Sequence, residues 1–277
     1  MTDTDYVGAI RTWREKYQNG LRAPDSWLSL TGLFMLDEGE YRVGSDPGSD
    51  VVLPDSAPAK LGVLRFANTA ATLEITCAET VKIDGVIMQR AHLVDNSAGA
   101  PTLATVGSVI FFIHAFSGMH AVRVKDTANP AREAFPGCVW FDVDPRYTVR
   151  GRFVPNAAPR VFTVTTSRDT PDDYASIGTV EFELNGQALR LHAETAGRDN
   201  ALFIVFRDAT SGKQTYGSSR YLMANCSPDG TVDLDFNKAF NPPCALSSFA
   251  TCKLAPPENV LSVAIEAGER VRVEHKH

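Results

Sequence analysis

The sequence has no long apolar run. Its most hydrophobic stretch, Val106 to Phe116, is interrupted by Gly107 and His114 and is much shorter than the roughly 18 apolar residues of a membrane span. Positive charge is not in excess either, since 27 Lys and Arg face 33 Asp and Glu for a formal net charge of -6. Nucleic acid is therefore not the expected partner, because phosphate binding needs a surplus of basic side chains on one face. Cysteine is sparse and scattered (Cys77, Cys138, Cys226, Cys244 and Cys252), which excludes a disulfide-dense scaffold. The opening Met1-Thr2-Asp3-Thr4-Asp5 is acidic where a secretory leader is basic and then apolar, so a cytoplasmic protein is expected. Recognisable cofactor and metal motifs are missing as well. Ser211-Gly212-Lys213 lacks the upstream glycine and the following Ser or Thr of a phosphate loop. There are no Rossmann glycines, no Gly-x-Ser-x-Gly elbow, no His-Glu-x-x-His and no EF-hand loop, so neither a cofactor nor a metal is expected.

What remains is ordinary globular composition, 44% hydrophobic and 22% charged over 277 residues, enough chain to bury a core without staples. Tyr6, Ile10, Trp13, Tyr17 and Leu21 recur at helical spacing and predict one amphipathic helix that lays its apolar stripe on a sheet. Thr2 with Asp5 predicts a capping box at its start, and Gly20 a stop at its end. Most of the chain beyond Leu30 reads as strand. Val51–Leu53, Val63–Phe66, Thr72–Ile75, Val81–Ile83 and Val109–Ile113 are short β-type runs punctuated by Gly, Pro, Asp and Asn. Val122-Arg123-Val124-Lys125 alternates, which predicts one wet face. Asn185-Gly186 between two alternating runs predicts a tight hairpin. A second hairpin is predicted from Ala201 to Arg207, turning at Asp208–Gly212 and returning through Gln214 to Met223. The histidines His114 and His120 flank Ser117-Gly118, a hairpin tip that predicts surface positions for both, while His275 and His277 belong to a charged tail.

The segment Gly39 to Pro54, GEYRVGSDPGSDVVLP, is similar to the opening of a forkhead-associated domain. There a strand ends in glycine, a polar loop comes next, and an apolar trio returns with proline. Val81-Lys82-Ile83-Asp84-Gly85 and Gly107-Ser108-Val109-Ile110-Phe111 resemble two later strands of that family. The resemblance implies a β-sandwich. The family binds phosphothreonine through an arginine after the first glycine and through a serine and a histidine after the trio. Here Ser45 comes after Gly44 and the later segment reads Ala57-Pro58-Ala59-Lys60, so phosphopeptide binding is not expected. A phosphate needs charge-assisted donors, and folds outlive their sites. The expected fold is thus all-β and mainly antiparallel: a forkhead-associated-like sandwich over 36–127, preceded by a helix and connector over 1–35. Over 128–277 a second antiparallel sheet or partly closed barrel carries a proline-rich wrapping loop.

Two later segments place polar residues inside apolar runs. One runs from Phe206 through Tyr216 and Gly217 to Arg220-Tyr221-Leu222. The other is Asp235-Phe236-Asn237-Lys238-Ala239-Phe240-Asn241-Pro242-Pro243-Cys244, with Thr251-Cys252 beyond. Together with Trp27–Leu33 and Gly44–Pro47 they resemble the signature of an uncharacterised bacterial and archaeal family, domain of unknown function 1684, which implies no activity or cofactor. Chemically, Tyr216, Arg220, Asn237 and Asn241 supply the donors and acceptors of a pocket for an anionic or carbonyl-bearing small molecule, with Arg220 as the fork. The plainer alternative pairs Arg220 with Asp208 or Asp235 and spends the amides on loop backbone. Cys244 and Cys252 have seven residues between them, too wide for a zinc knuckle. They are buried thiols, a disulfide across a folded-back loop, or a nucleophilic Cys244 with His192 as base. Three functions stay open: a small-molecule binding protein, a hydrolase or transferase using Cys244 or Asp235, and a structural or interaction module.

Overall fold

The structure, a computed structural model, describes residues 3–197 and 200–272; Thr2, His275 and His277 lie outside them. The chain divides into two compact units, one made of Gly20–Phe135 with Ser247–Ala250, the other of Met1–Asn19, Pro136–Leu246 and Thr251–His277.

In the first unit eleven strands run in order: β1 (Leu30–Leu36), β2 (Gly39–Gly44), β3 (Val51–Val52), β4 (Gly62–Ala67), β5 (Ala70–Ile75) and β6 (Lys82–Ile83), then β7 (Val86–Ile87), β8 (Arg90–Leu93), β9 (Ala104–Val106), β10 (Val109–Phe116) and β11 (Met119–Asp126). They form a six-stranded sheet ordered β1-β11-β10-β9-β6-β7 and a five-stranded sheet ordered β3-β2-β4-β5-β8. Only β2 and β3 pair in parallel among the described strands. One core contains residues of both sheets, including Val43, Leu64 and Leu73 from one and Phe111, Ile113 and Val124 from the other. The two sheets make a two-layer sandwich, the architecture that the forkhead-associated resemblance implies.

Two expectations for this unit need correction. The strand carrying Val122 to Lys125 has no clean wet face. It is central, between β1 and β10. Arg123 is buried, and Lys125 donates to the Asp25 carbonyl at 2.8 Å. The histidines are not surface groups. Phe116 pairs with Met119 across a two-residue turn in which Ser117 and Gly118 both have positive φ. Beyond that turn His114 reaches Asn96 Oδ1 at 3.1 Å, and His120 reaches Asp95 at 3.0 Å. Burial pushes His114 down to about 3.

The second unit holds α1 (Asp3–Leu21), β12 (Val139–Trp140), β13 (Thr148–Thr165), β14 (Pro171–Leu184), β15 (Gln187–Thr195), β16 (Ala201–Phe206), β17 (Arg220–Asn225), β18 (Thr231–Asp235) and β19 (Glu269–Arg270). Helix α1 runs through Gly20 to Leu21, because a glycine permits a stop without forcing one. Its stripe is used as expected. Ile10 is buried, Trp13 stacks on Tyr17 at 5.5 Å, and Tyr17 meets Trp140 and Phe240.

Six strands are ordered β17-β16-β15-β14-β13-β18. A bridge between Cys226 and Val232 links the ends of this order, so the sheet is nearly closed into a barrel, and Leu191, Ile204, Leu222, Leu234 and Phe236 fill it. The Asn185-Gly186 turn is present with positive φ at both residues. The second hairpin is longer than expected. Phe206 pairs with Arg220, and 207–219 form an irregular loop, so Tyr216 is not on the strand with Arg220.

One side chain repairs the sheet where pairing fails. Strands β15 and β16 pair only at Glu194–Phe203 and Thr195–Leu202. Beyond that gap the fully buried Asn259 accepts from His192 N–H at 2.7 Å and donates to His192 and Val205 carbonyls at 2.9 and 2.8 Å. Its amide reproduces the backbone group of an absent strand. Unmade buried bonds cost about 1–3 kcal/mol each, so we expect Asn259→Ala to lower stability by roughly 3 kcal/mol in denaturant unfolding. Asn259→Asp, which keeps the acceptor but loses the donors, is expected to recover little.

Candidate functional site

The residue chosen from the sequence as a ligand fork, Arg220, is completely enclosed. Its Nη1 donates to Asp208 Oδ2 at 2.6 Å and to the Ile265 carbonyl at 3.0 Å, and its Nη2 to the Ala267 carbonyl. Both side chains of the ion pair have no exposed surface. Asp208 Oδ1 takes the Thr210 N–H at 2.7 Å and hydroxyl at 2.6 Å. Burial lowers the Arg220 pKa against the pull of Asp208. A small molecule could reach this fork only by displacing those protein partners, so the alternative pairing with Asp208 is the one observed.

The amides are used in the same way. Asn237 accepts from the Asp144 N–H at 3.0 Å and donates to the Asp144 carbonyl at 2.8 Å and to Tyr6 Oη at 3.0 Å. Asn241 donates its N–H to Glu269 Oε2 at 2.8 Å and its Nδ2 to the Arg270 carbonyl at 3.2 Å, while its buried Oδ1 has no hydrogen-bond partner. Asp235 accepts from Tyr6 Oη at 2.7 Å and Thr148 at 3.2 Å and pairs with Lys238 at 3.1 Å. It clamps the helix rather than facing a substrate. His192 is also sealed: its Nδ1 lies 3.0 Å from Ser176 Oγ, its ring 4.8 Å from Phe162, and burial pushes its pKa down. A cleft of about 440 Å³ lies beside α1, lined by Val7, Arg11, Arg14, Trp140 and Asp142 among others. None of the residues singled out in the sequence borders it.

The two remaining residues, Tyr216 and Cys244, do come together, and Cys252 joins them. Cys244 sits on a single 3-10 turn, Pro243–Ala245, fixed at its start by Pro242. Its N–H donates to Cys252 Sγ at 3.2 Å, and Tyr216 Oη lies 3.4 Å from its carbonyl. Cys252 is tied to Ser167 in both directions, donating N–H to Ser167 Oγ at 3.0 Å and accepting the Ser167 N–H at 2.7 Å. All five cysteines are free thiols, and only Cys252 is buried, so of the alternatives for the pair the disulfide is not formed and the buried reading holds for Cys252 alone.

The electrostatics distinguish the pair. Hydrogen bonds from Cys252 first, and from Tyr216 and Ser167 as well, bring Cys244 down to about 7 against the opposing effect of burial. The hydrogen bond to Cys244, followed by burial, pushes Cys252 up. Tyr216 is pushed up to about 12, by burial first and then by Cys244. The two thiols are thus pushed in opposite directions, Cys244 down and Cys252 up, and His192, bonded to Ser176, is not among the groups that do this. Among the described residues no group of three or more His, Cys, Asp or Glu is arranged to hold a metal.

Sequence reasoning missed Ser167, Asn259 and Glu269. Ser167 and Asn259 belong to loops whose partners are far away in the chain. Glu269 looks like a solvated acid in a charged tail, yet it is buried and desolvation raises it to about 7.

An all-β protein emerges whose second unit carries a belt of buried polar residues and one thiol pair, half-buried at Cys244 and buried at Cys252. Residues 133–270, which include all of these groups except Tyr6 and its neighbours on α1, match the family described as "Protein of unknown function (DUF1684)". An uncharacterised protein of Haloarcula marismortui, solved in solution by NMR, is 37% identical over 52% of this chain and 81% of its own, with a TM-score of 0.43. The chain belongs to the DUF1684 family. No curated protein matches it.

Two outcomes test the polar belt. Removing one partner of a buried ion pair costs about 3–5 kcal/mol because the other charge is left desolvated. Arg220→Met is therefore expected to destabilise by that amount in urea unfolding, and a double variant with Asp208→Asn to regain part of it. Glu269 titrates the other way from a salt-bridged acid, because its folded pKa of about 7 lies above its usual 4.5. Its contribution is fully present below pH 4.5 and is lost as pH rises toward 7. Wild type should lose stability relative to Glu269→Gln across that window, read as diverging urea midpoints.

Proposed function

We propose that the second unit binds a small carbonyl-bearing electrophile and that Cys244 is the group that meets it. The observation that carries this reading is the set of donors around Cys244. A thiolate held near neutrality by hydrogen bonds, on a half-exposed turn, is the reactive form of cysteine, and it needs no general base to attack a carbonyl carbon. As the sulfur–carbon bond forms, the carbonyl electron pair moves to oxygen, and the Tyr216 hydroxyl would stabilise that oxygen by turning from the Cys244 carbonyl to which it donates. Of the other acids and bases considered, Asp235 is occupied by Tyr6, Thr148 and Lys238, and His192 by Ser176. Arg220, Asn237 and Asn241 serve this site by holding the chain around it. An interaction role for the first unit, whose sandwich resembles a forkhead-associated domain without its phosphate arginine, has no comparable observation behind it.

Two cysteines of the same chain serve as internal references, since burial raises the Cys77 and Cys226 thiols. Iodoacetamide labelling of the folded protein, resolved by peptide mapping, should modify Cys244 at pH 7 on the order of tenfold faster than either reference. Its rate should reach half-maximum near pH 7. Equal rates at all three sites would overturn the reading.

A further inference from the structure

A reactive cysteine that only captured electrophiles would have no use for a second thiol under it. Yet Cys252 is packed against Cys244 more specifically than chance burial requires. The Cys244 N–H points at Cys252 Sγ at 3.2 Å, and Ser167 fixes the Cys252 backbone from both sides. The loop between them has seven residues. Cys244 lies on one isolated turn and Cys252 outside any named strand, so the movement that closes the sulfurs to about 2.05 Å can be taken up by the Cys244 turn while Cys252 keeps its bridge to the end of β13. The two thiols also differ in access, Cys244 being half-exposed and Cys252 buried. An oxidant from solvent therefore meets Cys244 first.

We propose that Cys244 and Cys252 form a peroxide-reducing pair, Cys244 as the sulfur that attacks a hydroperoxide and Cys252 as the resolving thiol. In the first step the Cys244 thiolate attacks the outer peroxide oxygen. A sulfur–oxygen bond forms, the oxygen–oxygen bond breaks, and the leaving alkoxide or hydroxide takes a proton from solvent. Cys244 is oxidised to the sulfenic acid and the peroxide is reduced to alcohol or water. In the second step Cys252 gives up its proton and attacks the Cys244 sulfur. The disulfide forms, the sulfur–oxygen bond breaks, and hydroxide departs with that proton as water. Two equivalents of a small thiol return the pair to the dithiol by exchange. Tyr216 donates its hydroxyl to the Cys244 carbonyl at 3.4 Å and so helps hold the turn that carries the attacking sulfur.

This inference rests on Cys244 being the reactive thiol of the proposed function, and the test separates the two. Reduced full-length protein is treated with one equivalent of hydrogen peroxide and mapped under non-reducing conditions. The expected product is the Cys244–Cys252 disulfide, reversible by added small thiol, with one peroxide consumed per chain. In Cys252→Ser the disulfide falls to background, and a sulfenic acid at Cys244 is trapped by a 1,3-dione. In Cys77→Ser, a change within the first unit, the yield is unchanged. If Cys244 labels fast with iodoacetamide but peroxide leaves it unpaired or drives it to sulfinic acid, the redox role is wrong and the nucleophile stands. If Cys244 labels no faster than Cys77 and gives no disulfide, both fail. The wild-type map decides the matter even if a variant does not fold.

Discussion

The buried contact between Arg220 and Asp208 governs how the second unit is finished. A guanidinium with no exposure is costly unless most of its donors are met; here Nη1 and Nη2 meet one carboxylate and the carbonyls of Ile265 and Ala267, while the buried Nε has no partner. The arginine sits at the start of β17, so it ties a sheet strand to a stretch of chain with no regular structure. Next to it the Glu269 N–H donates to the Ala239 carbonyl, and the Glu269 carboxyl receives the Asn241 N–H. Chain leaving the sheet at 239–241 and chain returning at 265–270 are thus held together. What lies between is a closed excursion, and Cys244 and Cys252 are both on it.

A β-barrel so nearly closed has an apolar interior of side chains such as Leu191, Ile204 and Phe236, with no room for chemistry inside. Reactive groups must then sit on the rim, where irregular backbone has many N–H and C=O groups to satisfy. Those groups are satisfied by buried polar side chains: Asn259 between β15 and β16, Asn237 under the helix, Asn241 beside β19. The same residues that make the sequence look like a ligand pocket are the ones an irregular rim requires. Polar residues inside apolar runs mark buried hydrogen bonding, and only exposure tells whether the partner is solute or backbone.

That distinction explains what was legible beforehand. The helical stripe, the short strands and the Asn185-Gly186 turn were readable because period and turn chemistry are local. The two-layer sandwich was expected only through the family resemblance, not from period or turn chemistry. The wet face assigned to Val122–Lys125 failed because alternation reports side-chain chemistry, whereas burial depends on being the central strand. The pairing of Arg220 with Asp208 was foreseeable as an alternative, since the two lie twelve positions apart and bracket a loop. Ser167 and Asn259 were not foreseeable, because their partners are at 252 and at 192 and 205, and no local pattern encodes a contact of that range. Cys244 and Cys252 were visible as a pair, but their inequality was not. It arises from contacts the sequence does not show, to each other first and then to Tyr216 and Ser167.

The inequality has a structural origin that ties the thiols back to Arg220. A thiolate near neutrality in a half-buried place is unfavourable unless donors converge on it. Convergence here needs three separate chain segments: the loop before β17 for Tyr216, the turn after β13 for Ser167, and the excursion itself for Cys252. Each donor alone contributes modestly, so the sulfur is sensitive to small displacements of any of the three. The one element that bears on two of them is the anchored return at 265–270. It holds the excursion against the sheet and, through Arg220 and Asp208, fixes both ends of the loop that carries Tyr216. The buried ion pair thus bears on the setting of Cys244 only through the chain it fixes, at Asp208 and Arg220 on either side of Tyr216 and at the return past Ile265.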